Sequence, residues 1–271
     1  MGYKKLLKLF PLSLIIVIIV FSILYYDVNN FSAYISKVRK SEEPPYPKVP
    51  GIKKIDVGEG DDTWILTDKN ELYHWNRFKK TFLYERNYVF DFAVGSDGSI
   101  VYIDVYNSVH IRDSISSWHI IYDSKYYKIS RISICDYNTI FLVDTFHNLI
   151  KGVYDSGTDK YSWDLTPGHF YQASCAFHDY SLWAICEDYV YLYINKFKKI
   201  LRSEVVFIYI KALSKQHAIG IDSDNTLWEY INGTWTWVRS NVKSASINYS
   251  NDIYYVDNNN LIYKKPKDLK N

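Results

Sequence analysis

Apolar and polar positions alternate in short runs from about residue 50 to the end of the chain. The clearest case is Trp64-Ile65-Leu66-Thr67-Asp68-Lys69-Asn70-Glu71-Leu72-Tyr73-His74-Trp75, which predicts a strand, a tight polar turn and a second strand. The shape recurs: residues 100–104 turn into 109–111, 140–144 into 149–151, 182–187 into 190–193, 218–222 into 227–230, and 253–257 into 261–263. An acidic residue closes the first strand each time, namely Asp68, Asp104, Asp144, Glu187, Asp222 and Asp257, at intervals of 35 to 43 residues. A period of that size marks a solenoid, a propeller or an array.

Further strands complete each unit. In the first repeat Ile52-Lys53-Lys54-Ile55-Asp56-Val57 alternates and stops at Gly58, and Thr81-Phe82-Leu83-Tyr84 follows the central pair. In the second, Ser96-Asp97-Gly98-Ser99 sits between apolar runs, a strong hairpin signal. Four short strands per repeat, with no capped helical spacing, predict an all-β fold: a six-bladed β-propeller over residues 46–266, with a short tail at 267–271. The last repeat lacks an outer strand. Residues 46–49 are expected to supply it and so lock the ring; five blades with a degenerate extra repeat is the alternative.

The first 26 residues break the pattern. Lys4, Lys5 and Lys8 precede a charge-free apolar run from Leu9 to Tyr26. That run predicts one N-terminal transmembrane helix with a cytosolic N-terminus and the remainder outside the cytosol. A cleaved signal peptide is the other reading, disfavoured by the bulky Leu24-Tyr25-Tyr26 where small residues would be needed. Residues 27–45 read as an extended linker leading into Pro44-Pro45-Tyr46-Pro47.

Composition adds little about ligand. A net charge of +2 argues against a nucleic-acid footprint, and 27 tyrosines favour β-structure. Cys135, Cys175 and Cys186 leave at least one thiol unpaired. Buried free thiols are expected, with a Cys175–Cys186 bridge as the alternative.

Several runs carry a family resemblance. Ile55-Asp56-Val57-Gly58 leads to Trp64 through Asp68 and on to Asn70-Glu71-Leu72-Tyr73; Ala93-Val94-Gly95 and Asp222-Ser223-Asp224-Asn225-Thr226-Leu227-Trp228 repeat parts of the theme. Trp118, Trp163 and Trp235 or Trp237 stand where outer strands are expected. This resembles the tectonin family of propeller repeats. The chain departs from it where the Gly after the inner strand is replaced by Cys135, His178 and Asn248, and where Glu187 replaces Asp. The resemblance implies a lectin-like protein that binds a glycan or glycolipid.

No catalytic residue is assigned. The repeated acids fall once per blade, so they would be spread round a rim rather than paired across one bond as glycoside hydrolysis needs; they are read as acceptors for turn N–H groups. The seven histidines show no zinc-ligand spacing, so neither metal nor cofactor is expected. Ser96-Asp97-Gly98 resembles part of the Asp-box of sialidase propellers but occurs once and reads as a plain turn. Among many aromatics expected to be mostly core, Trp235 and Trp237 lie on one face of a strand and are the leading surface-platform candidates, with Trp118 and Trp163 behind them. Sequons occur at Asn30, Asn232 and Asn248, the last two being glycosylation candidates. The expectation is therefore a membrane-tethered, non-catalytic, carbohydrate-binding propeller. A protein-interaction scaffold at a membrane surface is the alternative, and a degenerate glycosidase a distant third. Oligomeric state is not legible.

Overall fold

The structure, a computed structural model, describes residues 46–112, 117–123, 127–187, 189–194, 196–200 and 205–265. The predicted membrane segment 1–26, the linker 27–45, the tail 267–271, Asn30 and Tyr126 lie outside them. The described residues form an all-β propeller of six blades: 52–86, 89–123, 129–166, 170–200, 207–239 and 242–265. Each blade is an antiparallel meander in which chain order is sheet order, with four strands in blades 1–5 and three in blade 6. The inner strands are Ile52–Val57, Val89–Val94, Ile129–Asp136, Phe170–Cys175, Phe207–Ser214 and Val242–Ile247. Each packs beside the next and the last beside the first, which closes the ring.

The apolar content follows from this arrangement. A second strand such as Ile100–Asp104 is buried along nearly its whole length because neighbouring blades cover both its faces. An outer strand such as Lys160–Thr166 shows mostly exposed positions. The apolar clusters of described residues fall one to a seam. Trp64, Leu66 and Phe92 fill the seam of blades 1 and 2, Ile111 and Ile134 that of 2 and 3, and Phe141 and Ala184 that of 3 and 4. Trp183 and Tyr230 fill the seam of 4 and 5, Ile221 and Tyr255 that of 5 and 6, and Ile65 with Tyr254 that of 6 and 1. A fully buried side chain of the size of Leu66 or Phe92 contributes roughly 1.5–3 kcal/mol.

The free edges of the inner strands of blades 1 to 5 are capped by side chains of the blade before each. Asp56 accepts from the Val94 N–H, Asp91 from Ile132, Ser133 from Cys175, Gln172 from Ile210, Ser174 from Ala212, Ser244 from Ile55 and Ser246 from Val57, at 2.9–3.2 Å. These bonds satisfy backbone donors that would otherwise be buried without partners. Lys211 of blade 5 bridges to Asp56 of blade 1 at 2.8 Å, and both are buried.

The repeated acids are explained in part. Asp104, Asp144, Asp222 and Asp257 each accept two turn N–H groups, as expected. Asp68 and Glu187 are one residue out of register: by strand pairing the position belongs to Thr67, opposite Ile52, and to Cys186, opposite Phe170. Three residues on, Asn70, Asn107, His147, Asn225 and Asn260 take positive φ, a conformation Asn tolerates better than most. Asn70, His147 and Asn225 accept the first inner-strand N–H of the following blade through their carbonyls, Asn107 through its side chain. Asn260 does the same for Ile52 at 3.1 Å and thereby joins blade 6 to blade 1.

Two expectations are corrected. Residues 46–49 form no strand. Tyr46 instead wedges into the last seam, its ring 4.7 Å from Trp75 and 5.7 Å from Phe82, its hydroxyl bonded to Thr63. Pro47 and Pro50, which lack N–H donors, explain why packing replaces a ladder here. Second, the cysteines are neither all free nor paired as Cys175–Cys186. Cys135 and Cys175 form a disulfide across blades 3 and 4, with Cα atoms 5.1 Å apart. Cys186 pairs in register with Phe170, five residues from Cys175, about 16 Å away along a strand and beyond disulfide reach. Burial, with Glu187 adding, pushes the free Cys186 thiol up to about 11.

Candidate functional site

The sequence candidates do not converge. Trp235 is only 8% exposed and packs on Phe207 and Tyr230 within the seam of blades 4 and 5, so it is no open platform. Trp237, two residues on, is 60% exposed and bonds Ser240 through its indole N–H. Trp118 lies edge-on to Tyr102 with the Arg86 guanidinium over its ring. Trp163 packs against Tyr122 and over Gly152, where any Cβ would run into its ring. These residues belong to the outer strands of three different blades. Asn232 occupies an exposed turn, but Asn248 is buried, donating to Asp61 at 2.9 Å and accepting from the Asp252 N–H. In the folded chain the Asn248 amide is therefore not presented at the surface.

Three concavities stand out among the described residues. On the lower face, where first strands turn into second strands, a cavity of about 540 Å³ is lined by Asp62, His74, Asp97 and Arg112. Its charges are already engaged: Asp62 accepts from Trp64 and pairs with His74 at 2.6 Å, and Glu85 faces Arg112. Between the outer strands of blades 2 and 3, a groove of about 730 Å³ is walled by Tyr122, Tyr161 and Trp163, with Asp123, Asp159 and Lys160 at its margin.

The third is the mouth of the central channel on the upper face, where the inner strands begin. Every blade contributes to it: Lys53 and Lys54, Phe90 and Asp91, Arg131, Gln172, Ile208 and Tyr209, Lys243 and Ser244. The cavity is about 170 Å³. Asp91 is engaged by Lys54 at 2.7 Å and by the N–H groups of Phe92 and Ile132. Lys53, Arg131 and Lys243 are exposed, and among the described residues no carboxylate pairs with them; they reach the Phe90 carbonyl, the Ser130 carbonyl and the Asn260 side chain. Desolvation lowers the Lys53 ammonium's pKa; Asp91 opposes this, while Arg131 and Lys54 add to it by repulsion.

Around the mouth the upper face carries aromatic rings. Tyr106 and Phe146 sit in the turns of blades 2 and 3, 76% and 65% exposed. Tyr88 and Tyr127, on the segments entering blades 2 and 3, lie 6.2 and 6.1 Å from them, and Tyr171 of blade 4 packs on His147. Val206 and Ile208 extend this exposed apolar arc into blade 5. Exposed rings occur elsewhere too, Phe78, Tyr180 and Tyr249 among them, but a run of neighbouring exposed rings along one face is the kind of surface that marks an interaction site. The sequence reading missed this arc because its rings lie singly in turns, connecting segments and one strand start, spread over three blades with no local pattern to mark them. Among the described residues no group of three His, Cys, Asp or Glu side chains is placed to hold a metal.

No family model matches the sequence, and no curated protein does. The tectonin resemblance therefore has no family assignment behind it. Many solved structures share the fold. One of them, described as Ycf48 bound to D1 peptide, matches with a TM-score of 0.51 and 9% identity over 79% of each chain. At that identity the likeness extends to the propeller fold alone.

Proposed function

We propose that the chain is a non-catalytic binding module whose upper face docks a segment of a partner protein. The observation that carries this reading is the exposed aromatic arc from Tyr88 to Tyr171 set beside a basic mouth. Aromatic side chains offer large contact area at low entropic cost and dominate binding energy at interfaces. Ycf48, of similar fold, was solved with a peptide, which makes a peptide ligand a reasonable probe for this ring. The disulfide fits an oxidising compartment, in keeping with a head held outside the cytosol by residues 1–26.

The carbohydrate reading keeps one observation in its favour: the groove of blades 2 and 3, where aromatic walls meet Asp123, Asp159 and Lys160. Parallel screening of the full chain on peptide and glycan arrays separates the two. Peptides rich in apolar and acidic residues are expected to bind. The Tyr106→Ser, Phe146→Ser double variant is expected to weaken them at least about tenfold with unchanged thermal stability, the effect of losing two interface aromatics. Glycan binding that is lost in Trp163→Ala, with no peptide signal sensitive to the double variant, would reverse the assignment.

A further inference from the structure

We infer that the channel mouth is an anion site that takes a carboxylate side chain of the docked protein segment. This rests on the reading of the upper face as the docking surface, but it draws on different atoms. Three cations from blades 1, 3 and 6, Lys53, Arg131 and Lys243, ring one cavity and lack a carboxylate partner among the described residues. The wall's own acid is spent on Lys54 and two backbone donors. One register step deeper along the inner strands, Asp56 is buried against Lys211 and is likewise unavailable. The mouth therefore keeps an uncompensated positive potential, and a low-dielectric wall concentrates it.

The opposite wall is different. Gln172, Ile208 and Tyr209 supply an apolar and neutral-polar surface, with Ile208 55% exposed. A carboxylate on a short apolar stem matches both halves, its oxygens toward Lys53, Arg131 and Lys243 and its methylenes against Ile208. The cavity's volume of about 170 Å³ suits one side chain rather than a folded segment. The repulsion that Lys53 feels from Arg131 and Lys54 is offset when an anion enters, which adds a favourable term to binding. The ring would then read an acidic residue at its centre while the aromatic arc grips the flanking residues.

The test needs no identified partner. The full chain, in a neutral detergent at low salt, is titrated with tetraglutamate, with tetraglutamine and with inorganic phosphate by calorimetry. Tetraglutamate is expected to bind with an affinity that falls steeply with salt, tetraglutamine not at all, and phosphate more weakly than tetraglutamate. The Lys53→Gln, Arg131→Gln, Lys243→Gln triple variant should lose at least tenfold in affinity. The charge-keeping Lys53→Arg, Lys243→Arg variant should retain binding, as should Lys79→Gln, Lys80→Gln in the exposed turn between the last two strands of blade 1. Equal binding of the two peptides, tetraglutamate affinity unchanged in the triple variant, or phosphate binding more tightly than tetraglutamate at these three residues would each overturn the inference. Because the aromatic variants are absent from this test, its failure is distinct from failure of the upper-face reading.

Discussion

Lys211→Met is expected to be the most damaging single substitution in the ring, lowering stability by about 3–5 kcal/mol because it strands a buried carboxylate. Asp56 is held by Lys211 at 2.8 Å, by Ser246 at 2.7 Å and by the N–H groups of Val57 and Val94. Desolvation alone would raise its pKa. The charges of Lys211 and Lys54, with the bonds from Lys211 and Ser246, outweigh that and lower it. A carboxyl whose folded pKa is depressed contributes stability that is complete above its unfolded value of about 3.9 and is lost as pH falls through the folded value. Removing Lys211 raises the folded value, so the acid-unfolding limb should move to higher pH as well as the melting temperature falling. Adding Asp56→Asn to Lys211→Met removes the stranded charge, and the double variant should be more stable than Lys211→Met alone. Thermal melts at several pH values check both points. A Lys211→Met protein as stable as the parent, with an unmoved acid limb, would show that the pair does not tie blade 5 to blade 1.

The second large effect concerns the disulfide. Cys135 and Cys175 enclose a sequence separation of 40 residues, and closing a loop of that length in the unfolded chain is worth about 3–4 kcal/mol in the chain-entropy account. Cys135→Ala, Cys175→Ala should lower the melting temperature by roughly 10 °C for a domain of this size, and reductant should reproduce the drop in the parent. Cys186→Ser should leave the reductant response unchanged. Its half-buried thiol, with a pKa of about 11, should also alkylate slowly at neutral pH, since the thiolate is the reactive form.

Strand identity was legible because the chain alternates locally, and alternation maps directly onto a pleated strand. Residues 100–104, 140–144, 218–222 and 253–257 fall within or coincide with the observed second strands Ile100–Asp104, Thr139–Asp144, His217–Asp222 and Ile253–Asp257. Blade count followed from the repeat period. What failed depended on register. Asp68 and Glu187 looked equivalent to Asp104 by spacing, but pairing with the inner strand assigns the position to Thr67 and Cys186. The same limit hid the disulfide: Cys135 and Cys175 meet only once the inner strands of blades 3 and 4 are set side by side. Trp235 and Trp237 were rightly given one face, yet that face is covered at Trp235 and open at Trp237, which depends on where the neighbouring blade ends. Asn248 carries an ordinary sequon, and only the Asp61 contact reveals it as a seam residue. The mouth was the least visible feature, since each blade gives it one or two residues and none is unusual alone.

Hydrogen–deuterium exchange of the full chain, with and without a peptide selected on the array, tests the central claim most directly. Docking on the upper face predicts slowed exchange in the turns at 104–108 and 144–148 and at the inner-strand starts 89–91, 129–131 and 207–209. Protection confined to the lower-face turns at 58–62, 95–99 and 136–138, or to the outer strands at 118–123 and 160–166, would contradict it.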